Sequence, residues 1–279
     1  MAKCLCRSAG SSYATRSMGV SGRKNRPDEV SILMMHRIIS ALFLAFMGIS
    51  SVFFFLIALL IWGCTVLFDR RLLVLHMFTS LWGSIYLWIM PAWTVLVKGR
   101  EKIDPGKTYM VVSNHQSQLD ILVAFSLFFP FKWVSKAEVF KLPFIGWNMT
   151  LNRYIKLRRG NKRSIKQMMI DCERTILNSS STYFFPEGTR SKTGIVKPFK
   201  TGAFILAHKM KIPILPIVIN GSKNALPKHS LNFNGRHHIR IEVLDAIPYE
   251  SFAQLSHEET VLKIRALIIT HVDEHRRKG

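Results

Sequence analysis

The sequence predicts an α/β fold, a mixed sheet flanked by helices, preceded by an N-terminal membrane-associated helical hairpin. Three observations carry that expectation. Two long apolar runs precede residue 98, strand and helix signals alternate after it, and 39 Lys plus Arg face 17 acidic residues, a formal charge of +22. Such an excess favours anionic partners, and the apolar runs select a membrane surface over nucleic acid. At 279 residues, one domain plus a membrane element is the simplest division.

Residues 1–33 are Ser-rich, basic and without apolar period, which predicts a disordered basic tail. Met34 or Met35 would serve equally well as a natural start. Residues 34–98 are expected to form the hairpin. Ile38 to Phe68 is 31 residues without a charge, and Leu72 to Val97 is 26 residues whose only titratable side chain is His76. A span needs about 20 such residues, so both runs suffice. Arg37, Arg70, Arg71, Lys98 and Arg100 flank the runs on both sides, so the positive-inside bias selects no topology. A hairpin that crosses and returns and one that dips into a single leaflet both fit. Cys4, Cys6, Cys64 and Cys172 have no metal-ligand spacing and read as unpaired thiols of a reducing compartment.

Residues 99–279 are expected to be one α/β domain. Strand signals fall at 108–113, 132–135, 154–157, 182–185, 214–219 and 238–244. Helices are expected at 117–128, 164–178, 201–209 and 258–274. The first of these strands runs directly into Asn114 and His115. Ligands of open α/β sheets gather beyond the carboxyl ends of strands, where this histidine would sit.

The spacing to Asp120 is informative. Positions five apart on a helix differ by about 140°, so they share no face. His115 must lie in the turn and Asp120 in the first helical turn for ring and carboxylate to meet. Asp120 then fixes the tautomer and the other ring nitrogen acts as a general base. A histidine that merely caps a helix and bonds Asp120 for stability fits the same spacing. No Gly-x-Ser-x-Gly elbow occurs, so a serine nucleophile lacks its usual setting.

The second motif is Phe185-Pro186-Glu187-Gly188-Thr189-Arg190. A strand ending at Pro186 and a Gly188 turn, with Thr189 and the planar fork of Arg190, would cradle a phosphate or carboxylate. An ordinary surface turn with a Glu–Arg pair is the plainer alternative. Eight basic and two acidic residues between Arg153 and Arg174, extended by Lys197, Lys200 and Lys209, suit an anionic docking face. Gly106-Lys107-Thr108, His237-His238 and His257-Glu258-Glu259 lack the rest of a phosphate loop or a metal site.

Together, Asn-His-x4-Asp and Phe-Pro-Glu-Gly-Thr-Arg some seventy residues later resemble the glycerolipid acyltransferase family that includes the 1-acyl-sn-glycerol-3-phosphate acyltransferases. Pro143-Phe144-Ile145-Gly146 with a following Arg159, and Ile212-Pro213-Ile214-Leu215-Pro216, resemble two further blocks of that family. The resemblance covers residues 99–220 and implies a glycerol-3-phosphate acyltransferase-like fold. It implies His115 as base and Asp120 as its partner. Substrate-binding roles fall on Asn114, Arg159, Glu187, Gly188, Thr189 and Arg190, with Lys136, Glu138, Arg158 and Pro213 as further candidates, the last in a block linked to acyl-donor binding. Where the family often has Asp before the second-block arginine, this chain has Arg158.

The implied reaction moves an acyl group from acyl-CoA or an acyl-carrier protein to the free hydroxyl of 1-acyl-glycerol-3-phosphate, giving phosphatidic acid, without metal or cofactor. Another lysophospholipid or glycerol 3-phosphate is an alternative acceptor, and a non-catalytic basic membrane-binding protein is an alternative class. The expected location is a membrane, integral or monotopic, with the domain on its cytoplasmic face.

Overall fold

The computed structural model describes residues 27–191, 193–223, 225 and 236–273. Its centre is a seven-stranded sheet in the order β1-β7-β6-β2-β5-β3-β4. The strands are β1 (Trp93–Lys98), β2 (Met110–Ser113), β3 (Phe131–Lys136), β4 (Ile155–Leu157), β5 (Ser181–Phe184), β6 (Ile214–Asn220) and β7 (His237–Val243). Neighbours are parallel except β6 with β7, which makes the sheet mixed. Six of the strands lie within two residues of their sequence expectations.

The helices are α1 (Pro27–Thr65), α2 (Leu73–Ile89), α3 (Leu119–Phe125), α4 (Ile145–Leu151), α5 (Lys162–Leu177), α6 (Gly202–Met210) and α7 (His257–His271). Local chemistry explains several boundaries. Asn161 caps α5 by accepting from Ser164 N at 2.9 Å, and Ser256 with Glu259 forms a reciprocal capping box on α7. One side of the sheet packs Val111, Trp133, Tyr183 and Leu215 with α2 and α3. Met110, Val112, Phe184 and Ile214 pack on the other side with α5, α6 and α7. Alternate strand residues thus face two cores.

The N-terminal region differs from the expectation in three ways. Helix α1 begins at Pro27, inside the 1–33 segment read as a disordered tail, and residues 1–26 lie outside the described ones. The second apolar run does not form a second helix of membrane-spanning length. It divides into the 17-residue α2 and strand β1, which pairs in parallel with β7. The sheet therefore starts at Trp93, ahead of the expected boundary at 99.

The reason is a polar stripe on α2 at helical spacing. His76, Thr79, Ser80 and Ser84 are all buried and turned toward protein. His76 Nε2 lies 3.1 Å from Phe129 O, and its Nδ1 lies 3.1 Å from the Tyr154 hydroxyl. Thr79 Oγ1 accepts from Asn148 Nδ2 and Asn152 Nδ2 at 3.1 and 3.0 Å. The His76 ring and the Thr79–Asn148–Asn152 cluster would lack these partners in lipid, whereas the Ser80 and Ser84 hydroxyls are buried without a hydrogen-bond partner among the described residues.

Among the described residues, α1 alone is long and apolar enough to cross a membrane, over Arg37–Thr65. Its outer face exposes Leu42, Ile49, Phe53, Leu56 and Leu60. Its inner face holds α2 through Ser50, whose Oγ lies 3.0 Å from Tyr86 Oη, and through Phe54 stacked edge-on against Tyr86. The hairpin thus has an outer apolar arm and an inner arm belonging to the domain core.

Candidate active site

Because β2, β3, β4, β5 and β6 run in parallel, their carboxyl ends share one edge of the sheet. His115 leaves β2 there, Glu187 to Arg190 leave β5, Arg158 and Arg159 leave β4, Lys136 ends β3, and Ser222 follows β6. The edge gathers residues from five chain segments.

His115 lies in the turn before α3, and Asp120 in the first turn of that helix. The ring's Nδ1 lies 2.8 Å from Asp120 Oδ2. An ionised carboxylate accepts only, so Nδ1 carries the proton and Nε2 holds the lone pair. The same Oδ2 accepts from Gln116 N at 2.7 Å and Ser117 N at 2.8 Å, and Oδ1 accepts from Ser222 Oγ. Asp120 has no solvent exposure, and four donors offset the cost of burying its charge. Phe185 stacks on the histidine ring, with centroids 4.0 Å apart and planes 15° apart. Trp133 stacks on the same phenylalanine with 5.3 Å between centroids, so the imidazole rests on an aromatic floor that fixes its plane.

Glu187 joins the two motifs. Its Oε1 accepts from His115 N at 2.8 Å and its Oε2 from Lys197 N at 3.1 Å. Ser191 N returns a bond to His115 O at 2.8 Å. The turn that carries Glu187 closes through Gly188 N to Phe185 O at 3.0 Å, with Gly188 at φ 69°, a conformation other residues adopt only under strain. Sequence reasoning gave Glu187 a substrate or an arginine to hold. It holds backbone instead.

Burial pushes the Glu187 carboxyl up to about 7, against the opposing pull of those two N–H donors. A raised carboxyl value means that its contribution to folding is present in full below its ordinary 4.5 and lost as pH rises through about 7. Thermal melts at pH 5 and pH 8 will therefore show a loss of stability across that window. Glu187→Gln, which cannot ionise, will lack that part of the slope; parallel slopes would refute the assignment. The glutamine will also lower turnover, because its amide cannot accept from both backbone N–H groups.

Arg190 is half-buried, and its Nη1 is buried without a hydrogen-bond partner among the described residues. Burial pulls its guanidinium below the ordinary range; Arg159 adds to the effect and Asp120 opposes it. Arg159, Arg190 and Asp120 therefore lie within electrostatic reach of one another, although Arg159 itself is exposed. Lys197 Nζ donates to Arg190 O at 2.8 Å, which ties the basic turn to the following loop. Thr189 sits half-buried between Gly188 and Arg190. These cationic and dipolar groups suit an anion.

Other expected residues stand apart. Asn114 is fully buried and spends its amide on β6, donating to Ile219 O and accepting from Ile219 N, each at 2.8 Å. It is a strand-to-strand tie rather than a substrate ligand. Pro213 precedes β6 at the opposite edge of the sheet, where its carbonyl accepts from Met110 N at 3.0 Å. A seven-residue strand, roughly 20 Å, separates it from the histidine edge. Lys136 and Glu138 form a 3.6 Å ion pair about half-exposed to solvent, and Arg158 is exposed.

Sequence reasoning passed over Phe185 and Ser222. The first was legible as the motif's leading aromatic, and the second as a polar residue just past a predicted strand's carboxyl end.

The Acyltransferase family model matches residues 94–220. A chloroplastic 1-acyl-sn-glycerol-3-phosphate acyltransferase of Brassica napus is 35% identical over 240 residues, covering 85% of this chain and 68% of that protein. A chloroplastic counterpart in Arabidopsis thaliana is 34% identical over 76% of this chain and 60% of its own length. The Saccharomyces cerevisiae enzyme of the same name is 34% identical over 64% and 60%. The chain thus spans about two thirds or less of these relatives. The crystal structure of the 1-acyl-sn-glycerophosphate acyltransferase of Thermotoga maritima has the same fold, with a TM-score of 0.69, 23% identity, and coverage of 84% of this chain and 94% of that one.

Proposed function

Because the chain belongs to the family of 1-acyl-sn-glycerol-3-phosphate acyltransferases, we propose that it transfers a fatty acyl group from a thioester donor to the free hydroxyl of 1-acyl-glycerol-3-phosphate, giving phosphatidic acid. The observation that carries the mechanism is the His115–Asp120 pair, with its proton on Nδ1 and its lone pair on Nε2.

His115 Nε2 removes the proton from the acceptor hydroxyl as that oxygen attacks the thioester carbonyl. The carbon–sulfur bond then breaks, and the departing thiolate takes up the proton from the imidazolium. Acceptor oxygen gains an acyl group, donor sulfur gains hydrogen, and the histidine is restored. Positioned proton transfer of this kind contributes about 10²–10⁴-fold. The acceptor phosphate is held by the Arg190 fork, with Thr189 and the Gly188 turn beside it and Arg159 adding charge. The donor is acyl-CoA or acyl-carrier protein.

Helix α1 inserts its exposed apolar face in an anionic membrane, either spanning it or lying in one leaflet, with the catalytic domain on the cytoplasmic side. The lipid acceptor then reaches the histidine edge without leaving the bilayer. Purified enzyme in vesicles, supplied with acyl-CoA, will acylate 1-acyl-glycerol-3-phosphate in preference to glycerol 3-phosphate and lysophosphatidylcholine by at least tenfold in kcat/KM, which corresponds to about 1.4 kcal/mol. Equal rates on all three acceptors would remove the phosphate-recognition reading.

A further inference from the structure

The Asp120 carboxylate is held by a group just past a distant strand. Oδ2 of Asp120 serves the β2–α3 turn, accepting from His115, Gln116 and Ser117. Oδ1 faces the other way and accepts from Ser222 Oγ, 102 residues along the chain. We propose that Ser222 is a positioning residue for the acyl transfer, fixing through Asp120 Oδ1 the rotation of the carboxylate that aligns His115. The inference rests on the reading of His115 as base.

The backbone around Ser222 is shaped for this contact. Ser222 is fully buried just beyond β6. Gly221 before it has φ 81°, and a Cβ there would collide with the carbonyl oxygen of His238. Only glycine therefore lets β6 turn back under Asp120. The strand end is tied to the histidine turn a second time by the paired bonds between Asn114 and Ile219. The relative position of Ser222 and Asp120 is thus set by the sheet rather than by the turn itself.

The torsion that turns a carboxylate about its last bond is soft and broad. The three donors on Oδ2 all come from one short turn, which can shift as a unit. Ser222 anchors the other oxygen to the sheet, so the plane of the carboxylate and the ring bonded to it are registered against the strand edge. Its bond to Oδ1, and not to the ring, leaves the hydroxyl outside the acyl-transfer path.

The test is steady-state kinetics on Ser222→Ala and Ser222→Thr in the intact, membrane-reconstituted enzyme. Ser222→Ala will lower kcat by about tenfold or more, a share of the 10²–10⁴ that a positioned base contributes, with KM for both substrates within about twofold. The acid limb of its kcat/KM profile will move to higher pH by about half a unit to one unit, because a carboxylate deprived of one donor holds its remaining proton partner more tightly. Ser222→Thr, which keeps the hydroxyl, will restore most of the turnover.

Glu187 beneath His115, Arg190 and Lys197 on the adjoining loop, and Tyr183, whose hydroxyl donates to Ser113 at 3.0 Å, are common to all variants, so the shift is read as a difference from the parent enzyme. A Ser222→Ala enzyme with turnover within threefold and an unmoved acid limb overturns the inference, as does equal impairment of the alanine and threonine forms. His115→Ala measured alongside separates the cases: if it remains active, the reading of the base has failed, not merely the role of Ser222.

Discussion

Replacement of His115 by alanine will lower acyl transfer by about 10²–10⁴-fold while leaving membrane association and the melting temperature nearly unchanged. The fold will survive because Asp120 retains its bonds from Gln116 N, Ser117 N and Ser222. The two motifs also stay joined through Glu187 and the backbone N–H of residue 115, which alanine supplies equally well. What disappears is the lone pair on Nε2.

His115→Asn makes a sharper comparison, because its amide N–H can take the place of Nδ1–H toward Asp120 while offering no basic nitrogen. Its loss of turnover will match that of alanine. The measurements are initial rates with 1-acyl-glycerol-3-phosphate and acyl-CoA, vesicle flotation and a thermal melt. Turnover within threefold of the parent in either variant would mean that another group, or none, takes the proton.

The second large effect is expected at Arg190. Arg190→Ala will raise the KM for 1-acyl-glycerol-3-phosphate by about 10–100-fold, the equivalent of a charge-assisted hydrogen bond worth about 1.5–3 kcal/mol, with kcat less affected. The buried, unpartnered Nη1 of this side chain is the reason to expect the large end. A guanidinium nitrogen withdrawn from water without a partner is costly, and an anion beside it recovers that cost on binding. Arg190→Lys will recover only part of the affinity, since a point charge cannot reproduce the fork. Monoacylglycerol, an acceptor without phosphate, supplies the control, and its KM will not move. An unchanged KM for the phosphorylated acceptor in Arg190→Ala would end the assignment.

The elements legible in the sequence are those whose pattern is local. Strand β2 reads as an apolar run that stops at a cap-forming stretch, and β6 as a long apolar strand following Pro213. The turn carrying Glu187 is announced by Pro186 and Gly188, and the partnership of His115 with Asp120 follows from counting residues around a helix. By contrast, the second apolar run looked like lipid-facing helix because hydropathy adds residues without asking which way they point. His76, Thr79, Ser80 and Ser84 recur at helical spacing within it. That stripe betrays a helix with a protein partner on one face, and Trp93 to Lys98 is a strand only because β7 lies beside it.

Linear motifs mislead most where one block spans a whole strand or a strand's start. Asn114 adjoins His115, yet its amide is consumed by Ile219. Pro213 belongs to an acyltransferase-like block, but it precedes β6, at the strand end opposite the one His115 follows. Lys136 and Glu138 are near the right edge, and they pair with each other.

From the order of residues alone came the family resemblance, an α/β domain behind an apolar leader, and a histidine with its acid, since each depends on neighbours within a few positions or on composition. Folding supplied the rest: which apolar stretch keeps an exposed face, which carboxylate clamps backbone, and that a serine just past a remote strand completes the acid's shell. Those facts depend on the direction and order of strands in a sheet, and pairing between segments a hundred residues apart leaves no period in the chain from which it can be read.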